Sequence, residues 1–159
     1  MGTVGSAQKA QRAKEAGAWQ VINYREESIV ERLKALTDGK KVAVVYDSVG
    51  KDTWEASLDC LQRRGLMVSF GNSSGPVTGV NLGILNQKAP CTSLAHRCRA
   101  ISPTGKNWRE ACSELFSLIA SGVIKVDVAE SQIYPLSEAR RAHEVLESRV
   151  TQGSSLLLP

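Results

Sequence analysis

Three short clusters of small polar residues carry the chemistry open to this sequence: Gly5-Ser6, Asp47-Ser48-Val49-Gly50 and Gly71-Asn72-Ser73-Ser74. Each follows an apolar stretch. Glycine lets a backbone approach a ligand closely, while hydroxyls and main-chain N–H groups donate to anionic oxygens. Ser6 precedes AQKAQRAKEA, a run rich in Ala, Lys and Gln, and so reads as a helix N-cap. A helix N-terminus presents unpaired N–H groups to phosphate, and Lys9 adds a positive charge nearby. Each cluster alone is an ordinary turn, and Lys9 alone is a solvated lysine. Together they form the best candidate cofactor site in the sequence.

Other chemistry finds little support. Asp47 follows a strand-like run and reads as a turn residue that caps local N–H groups rather than as an acid or base. The four cysteines form no C-x-x-C pair, and Cys91, His96 and Cys98 fit no standard zinc spacing. His143 lies among Arg140, Arg141 and Glu144 and reads as a helix-surface residue. No Ser/His/Asp or Cys/His constellation is arguable, so neither a catalytic residue nor a metal ligand is nominated.

The 159 residues suit one domain, and the 42% apolar and 23% charged fractions fit a soluble globular chain. The +4 charge is dispersed, and with 5% aromatic residues it argues for a solvated surface rather than a nucleic-acid arm. No apolar run is long enough to span a bilayer, and MGTVGSAQKA lacks a signal-peptide layout. A cytoplasmic location is expected.

The elements that must position the clusters follow from periodicity. Gly2–Val4 is β-like, and Gly17 stands where the first helix ends. Ala18–Ile22 predicts a strand and Glu26–Leu36 an amphipathic helix followed by Gly39. Val42–Tyr46 is continuously apolar and predicts a strand buried on both faces. Trp54–Leu61 predicts a helix ended by Gly65, and Leu66–Phe70 the next strand, opening into GNSSGP. Leu82–Leu85 is apolar. Leu115, Leu118 and Ile119 mark a helix closed by Gly122. Val126–Val128 predicts a strand, Leu136–Glu147 a helix that Ser137 could cap, and SSLLLP a last strand. The alternation predicts an α/β fold with a mainly parallel sheet flanked by helices. In such sheets ligands sit beyond the carboxyl ends of the strands, where the three clusters fall.

The stretches GSAQKAQRAKEAGAWQVINYREE, VVYDSVGKDTWEASLDCLQRRGLMVSFGNSSGPV and RAHEVLESRVTQGSSLLLP resemble the bacterial NADPH:quinone oxidoreductases. These form a zinc-independent, zeta-crystallin-like branch of the medium-chain dehydrogenase/reductase superfamily. The resemblance implies a cytoplasmic homodimer that passes electrons from NADPH to quinones, with the cofactor between an N-terminal catalytic domain and a Rossmann domain. It further implies that Gly5, Ser6 and Lys9 face the adenosine 2′-phosphate, with Tyr24 packed near it. Ser48 and Val49 would line the adenosine side, Phe70, Gly71, Asn72 and Ser73 the nicotinamide half, and Arg149 would reach a phosphate. The cofactor choice also has a physical basis. NAD-binding domains usually place an acid after the second strand to hold the ribose 2′-OH. Here Val4-Gly5-Ser6-Ala7-Gln8-Lys9 has none. A carboxylate would repel a 2′-phosphate, whereas Lys9 attracts it.

Two departures stand out. The strand, glycine-rich turn and helix of the phosphate fingerprint should precede Gly2, where the family has an aliphatic residue in place of Met1. The expected fold is therefore an incomplete Rossmann-like domain over residues 1–159. It lacks the first strand and the glycine-rich turn, its strands are split across a gap, and Met1 is an internal or misassigned start. The alternative is a non-catalytic product of a truncated or degraded gene, with residual nucleotide binding or none.

The second departure is Ala89 to Arg109, APCTSLAHRCRAISPTGKNWR, which matches nothing in the family. Joining the last base of each codon to the first two of the next lets this block read A-L-Y-V-T-R-P-S-L-Q-G-Y-I-T-N-G-E-E-L-A, a strand leading into a helix start. Two compensating single-base shifts, near Ala89 and near Arg109, are inferred. As it stands, the block contains Pro90 and Pro103 and predicts an irregular loop.

Overall fold

A computed structural model describes residues 1–81, 83–88, 92–95 and 105–159, with the backbone alone at 86, 92–95 and 105–107. It divides into two units, Met1–Pro103 and Thr104–Pro159.

In the first unit, β1 (Gly2–Val4) leads into α1 (Ala7–Glu15) and returns to β2 (Val21–Asn23), which pairs with β1 in parallel. Parallel neighbours need such a crossover. Ser6 caps α1 by accepting the Lys9 N–H at 3.3 Å, and Gly17 takes a left-handed φ of 97° just past its end. The second strand begins at Val21 rather than Ala18, because Ala18 is still bonded back to the Ala13 carbonyl. Ser28 caps α2 (Ile29–Leu36), so that helix starts three residues later than its apolar period implies.

A three-stranded parallel sheet follows: β3 (Val42–Asp47), β4 (Leu61–Ser69) and β5 (Thr92–Ala95), with α3 (Trp54–Asp59) and α4 (Gly83–Lys88) between strands. Helix α3 stops before Leu61, which pairs with Val42 instead. Gly65 ends no helix. It lies buried within β4, where the register shifts between Val42 and Val44, and a β-carbon there would stand 3.1 Å from the Ala43 carbonyl. Two apolar clusters hold the layers together. Ile22, Leu33 and Cys60 gather Ile29, Val30 and Val42, while Leu58, Leu61 and Met67 gather Trp54, Ile84 and Leu85; Val45 packs against both.

Two further expectations are corrected. The loop expected over 89–109 contains strand β5, paired from Leu66↔Thr92 to Ser69↔Ala95, and its last residues from Gly105 are helical. Pro90 and Pro103 fall outside the paired span, so every β5 residue keeps its N–H. Residues 89–91 and 96–104, including Cys91, His96 and Cys98, lie outside the described residues. The strand expected to be buried on both faces is also open: Val44 is 39% and Tyr46 73% exposed. Among the described residues β3 pairs with β4 alone and β1 with β2 alone, so a seam separates the two sheets, as the resemblance implies.

In the second unit, α5 (Gly105–Ala120) ends near Gly122, whose φ is 75°. Val126–Val128 is not a strand; the Asp127 carbonyl accepts from the Ser154 N–H at 3.0 Å instead. The parallel pair is made by β6 (Ile133–Pro135) and β7 (Leu156–Leu158), joined through α6 (Ala139–Glu147). A 3₁₀ turn occupies Leu136–Glu138, so the α-helix starts at Ala139 and Ser137 caps nothing. Among the described residues every strand pairing is parallel, so the architecture is α/β. Among the described residues no helix is long and apolar enough to cross a membrane.

Candidate functional site

The turn after β3 is organised by Asp47, which is only 4% exposed. Its Oδ1 accepts the N–H groups of Val49 at 2.8 Å and Gly50 at 3.0 Å, and its Oδ2 accepts the hydroxyls of Thr53 at 2.8 Å and Ser57 at 2.7 Å. Burial alone would raise its pKa. The bonds from Gly50, Ser57, Thr53 and Val49 outweigh that and hold the carboxyl below its ordinary value. Asp47 is thus a fixed, ionised capping group, in line with its reading as a turn residue, and this network orients Ser48 and Val49 at the strand end.

The turn after β4 is joined to it. The Ser73 and Ser74 N–H groups donate to the carbonyls of Ser48 at 3.3 Å and Val49 at 2.9 Å. The Ser74 hydroxyl donates to Val49 O at 2.8 Å and accepts the Asp52 N–H at 3.0 Å, and Lys51 N–H reaches Gly75 O at 3.1 Å. Gly50 and Gly71 are required by this contact. A β-carbon on Gly50, whose φ is 90°, would stand 2.7 Å from Gly75 O, and one on Gly71 would stand 2.6 Å from Ser48 O. Ser48, Phe70, Asn72 and Ser73 remain exposed along the rim, while Val49 and Gly71 are half-buried.

A second cluster lies at the carboxyl ends of β1 and β2. Tyr24, bonded through its N–H to Val4 O at 3.1 Å, lays its phenol over Gly5, where a β-carbon would meet Oη at 2.5 Å. Gly5 leads into the capped start of α1, whose first turn holds no acid, and Lys9 is half-buried there. The arrangement offers an N-terminal set of N–H groups, a hydroxyl, a phenol and a lysine to an anion.

A groove of about 410 Å³ runs along the seam, lined from β1 by Gly2 and Thr3, from β3 by Val44, Tyr46 and Asp47, and beyond it by Ser48 and Val49.

The structure thus brings together Ser48, Val49, Phe70, Gly71, Asn72 and Ser73 at one pair of strand ends, and Gly5, Ser6, Lys9 and Tyr24 at the other. Arg149 belongs to the other unit. It lies in the second unit just past α6, exposed, with a φ of 62° and its N–H on Leu146 O at 3.1 Å. The sequence does not single out Thr53 or Ser57 as organisers of the site; their only signal is an abundance of hydroxyl residues near Asp47. Ser74 stands in the third polar cluster, but nothing local marks its bonds to the other turn, which span about two dozen residues. His143 is exposed on α6. Among the described residues no three His, Cys, Asp or Glu side chains gather as a metal cluster.

Comparison with known proteins places this geometry. The family model described as zinc-binding dehydrogenase matches residues 1–120. Quinone oxidoreductase of Salmonella typhimurium is 76% identical over all 159 residues, which make up 49% of that protein. Quinone oxidoreductase 1 of Escherichia coli is 72% identical over the same span, again 49% of its length. The crystal structure of Escherichia coli quinone oxidoreductase complexed with NADPH superposes with a TM-score of 0.94 at 73% identity, over 99% of this chain and 48% of that one. The chain therefore spans about half the length of the curated relatives it matches. It belongs to the zinc-binding dehydrogenase family, on its bacterial quinone oxidoreductase branch.

Proposed function

We propose that this chain is the NADPH-binding half of a cytoplasmic quinone oxidoreductase, whose quinone substrate and homodimer contacts belong to the complete enzyme. The observation that carries the reading is the start of α1. A serine-capped N-terminus without an acid follows a glycine held under Tyr24, and that set suits a phosphorylated ribose better than a free 2′-OH. On this reading Gly5, Ser6, Lys9 and Tyr24 hold the 2′-phosphate, Ser48 and Val49 flank the adenosine, and Phe70, Gly71, Asn72 and Ser73 lie along the nicotinamide. Arg149 reaches a phosphate. Bound NADPH supplies the hydride; the protein's part is to bind and orient it. The lack of a β-carbon at Gly50 and Gly71 lets the two turns close on each other and fixes the rim. On this reading none of the described side chains is assigned general acid/base chemistry.

Residues 1–159 then form a partial nucleotide-binding domain, and 89–109 is a block read out of frame by two compensating shifts. Resequencing the gene tests the latter: an unambiguous read without a frame change relative to close relatives overturns it.

The functional test follows NADPH binding by nicotinamide fluorescence and, in parallel, NADPH-dependent reduction of a quinone by the purified chain. Binding without turnover is expected. Absence of binding would favour the non-catalytic relic, and turnover by this chain alone would overturn its reading as a binding half.

A further inference from the structure

At the opposite end of the three-stranded sheet from the turns just described, two basic pairs stand side by side. Lys40 and Lys41 precede β3, and Arg63 and Arg64 lie in the shifted first part of β4. A depression of about 230 Å³ is lined by Gly39, Lys40, Lys41, Leu61, Gln62, Arg63 and Lys88. Lys88 is already neutralised by Asp59 at 2.7 Å and Glu55 at 3.4 Å. Lys40, Lys41 and Arg63 make no ion pair among the described residues. Three cations without an ion pair among the described residues thus line one concavity, an arrangement that favours an anion.

The backbone there is also unusual. Asp38, Lys41 and Arg64 take positive φ values of 49°, 63° and 63°, and they are three of the four non-glycine residues that do so among the described residues. Side chains seldom occupy that region, and such strain clusters where a structure holds groups in place for binding. At Lys41 it is sustained by the N–H bond to Thr37 Oγ1 at 3.0 Å, which fixes where this lysine leaves the chain.

We propose that this depression is a second anion site, for a small ligand bearing a phosphate-type dianion, held by Lys40, Lys41 and Arg63. Arg63 supplies the planar fork that pairs with two phosphate oxygens, and the lysines supply point charges. A volume of this size admits a phosphoryl or diphosphoryl group but not a dinucleotide. At about 3.3 Å per residue, β3 separates it by roughly 20 Å from the turn at Ser48, so the site stands whether or not the nucleotide reading does.

The test titrates the full chain with inorganic pyrophosphate, with ADP, and with chloride at matched ionic strength. The readouts are backbone amide shifts at residues 39–41 and 61–64 and the thermal midpoint. Saturable shifts confined to those amides are expected with pyrophosphate or ADP and not with chloride; the tighter of the two tells a free anion from a phosphate ester. The double variant Lys40→Gln/Arg63→Gln alters two exposed side chains and should weaken binding by about tenfold or more, while Lys9→Gln should leave these shifts in place. Circular dichroism checks that each variant is folded, and the single variant Arg63→Gln gives the same comparison if the double variant is not. Chloride matching pyrophosphate, or a folded variant binding as well as the parent, would overturn the proposal.

Discussion

Gly71 lies so close to Ser48 that a β-carbon on it would stand 2.6 Å from the Ser48 carbonyl oxygen. That contact joins the turns after β3 and β4, and neither partner can yield, because the oxygen belongs to a backbone also held by the Ser73 N–H. Gly71→Ala should cost about 1–3 kcal/mol, read as a lower denaturation midpoint in urea. Gly5→Ala makes an equally short contact, but with the end of the half-exposed Tyr24 side chain. It should cost well under about 1 kcal/mol and act instead on nucleotide binding by displacing the phenol.

Asp47 links the fold to pH. Its folded pKa is lowered, so the unfolded chain takes up the proton first as pH falls. Its contribution is complete above the ordinary carboxylate value and is lost as pH drops through the lower folded value. Asp47→Asn should destabilise by about 1–3 kcal/mol near neutrality and flatten the acid limb of the stability profile below about pH 4. Urea unfolding at a series of pH values checks both; an unchanged acid limb would show that Asp47 is not ionised within its network.

The seam leaves the outer edges of β1 and β3 without partners among the described residues. Unpaired edges template further pairing. The chain should self-associate with rising concentration, and Val44→Lys, on the open face of β3, should raise the concentration needed by about tenfold. Sedimentation equilibrium measures this, and an equally monomeric parent and variant would contradict it.

How far the sequence could be read depended on whether the cause was local. The Ser6 cap, Gly17, Gly39 and Gly122 were legible because each answers to a single turn of chain. The parallel α/β order was legible because apolar runs alternate with amphipathic ones. The burial of β3 is not legible, because VAVVY has the same composition whether one neighbour or two flank it. Gly65 follows a helical apolar period and so resembles a helix stop, but it is needed where β4 passes the Ala43 carbonyl, a contact across strands. Val126–Val128 and Ile133–Pro135 are equally short, and among the described residues only the second finds a strand to pair with. In the site, the positions of Ser48 and Gly71 were legible from their glycine and serine context. The roles of Thr53 and Ser57 were not, because they arise only when α3 folds back on the end of β3, and the role of Ser74 was not, because its partners Val49 and Asp52 lie in the other turn.

The central claim is that the start of α1 receives a phosphorylated ribose. Fluorescence titration of the chain and its Lys9→Gln variant with NADPH and NADH tests it most directly. NADPH should bind the parent about tenfold or more tightly than NADH, and Lys9→Gln should erase that preference while leaving NADH binding unchanged. Equal affinity of the parent for both nucleotides, or a preference that survives in the variant, would contradict the account.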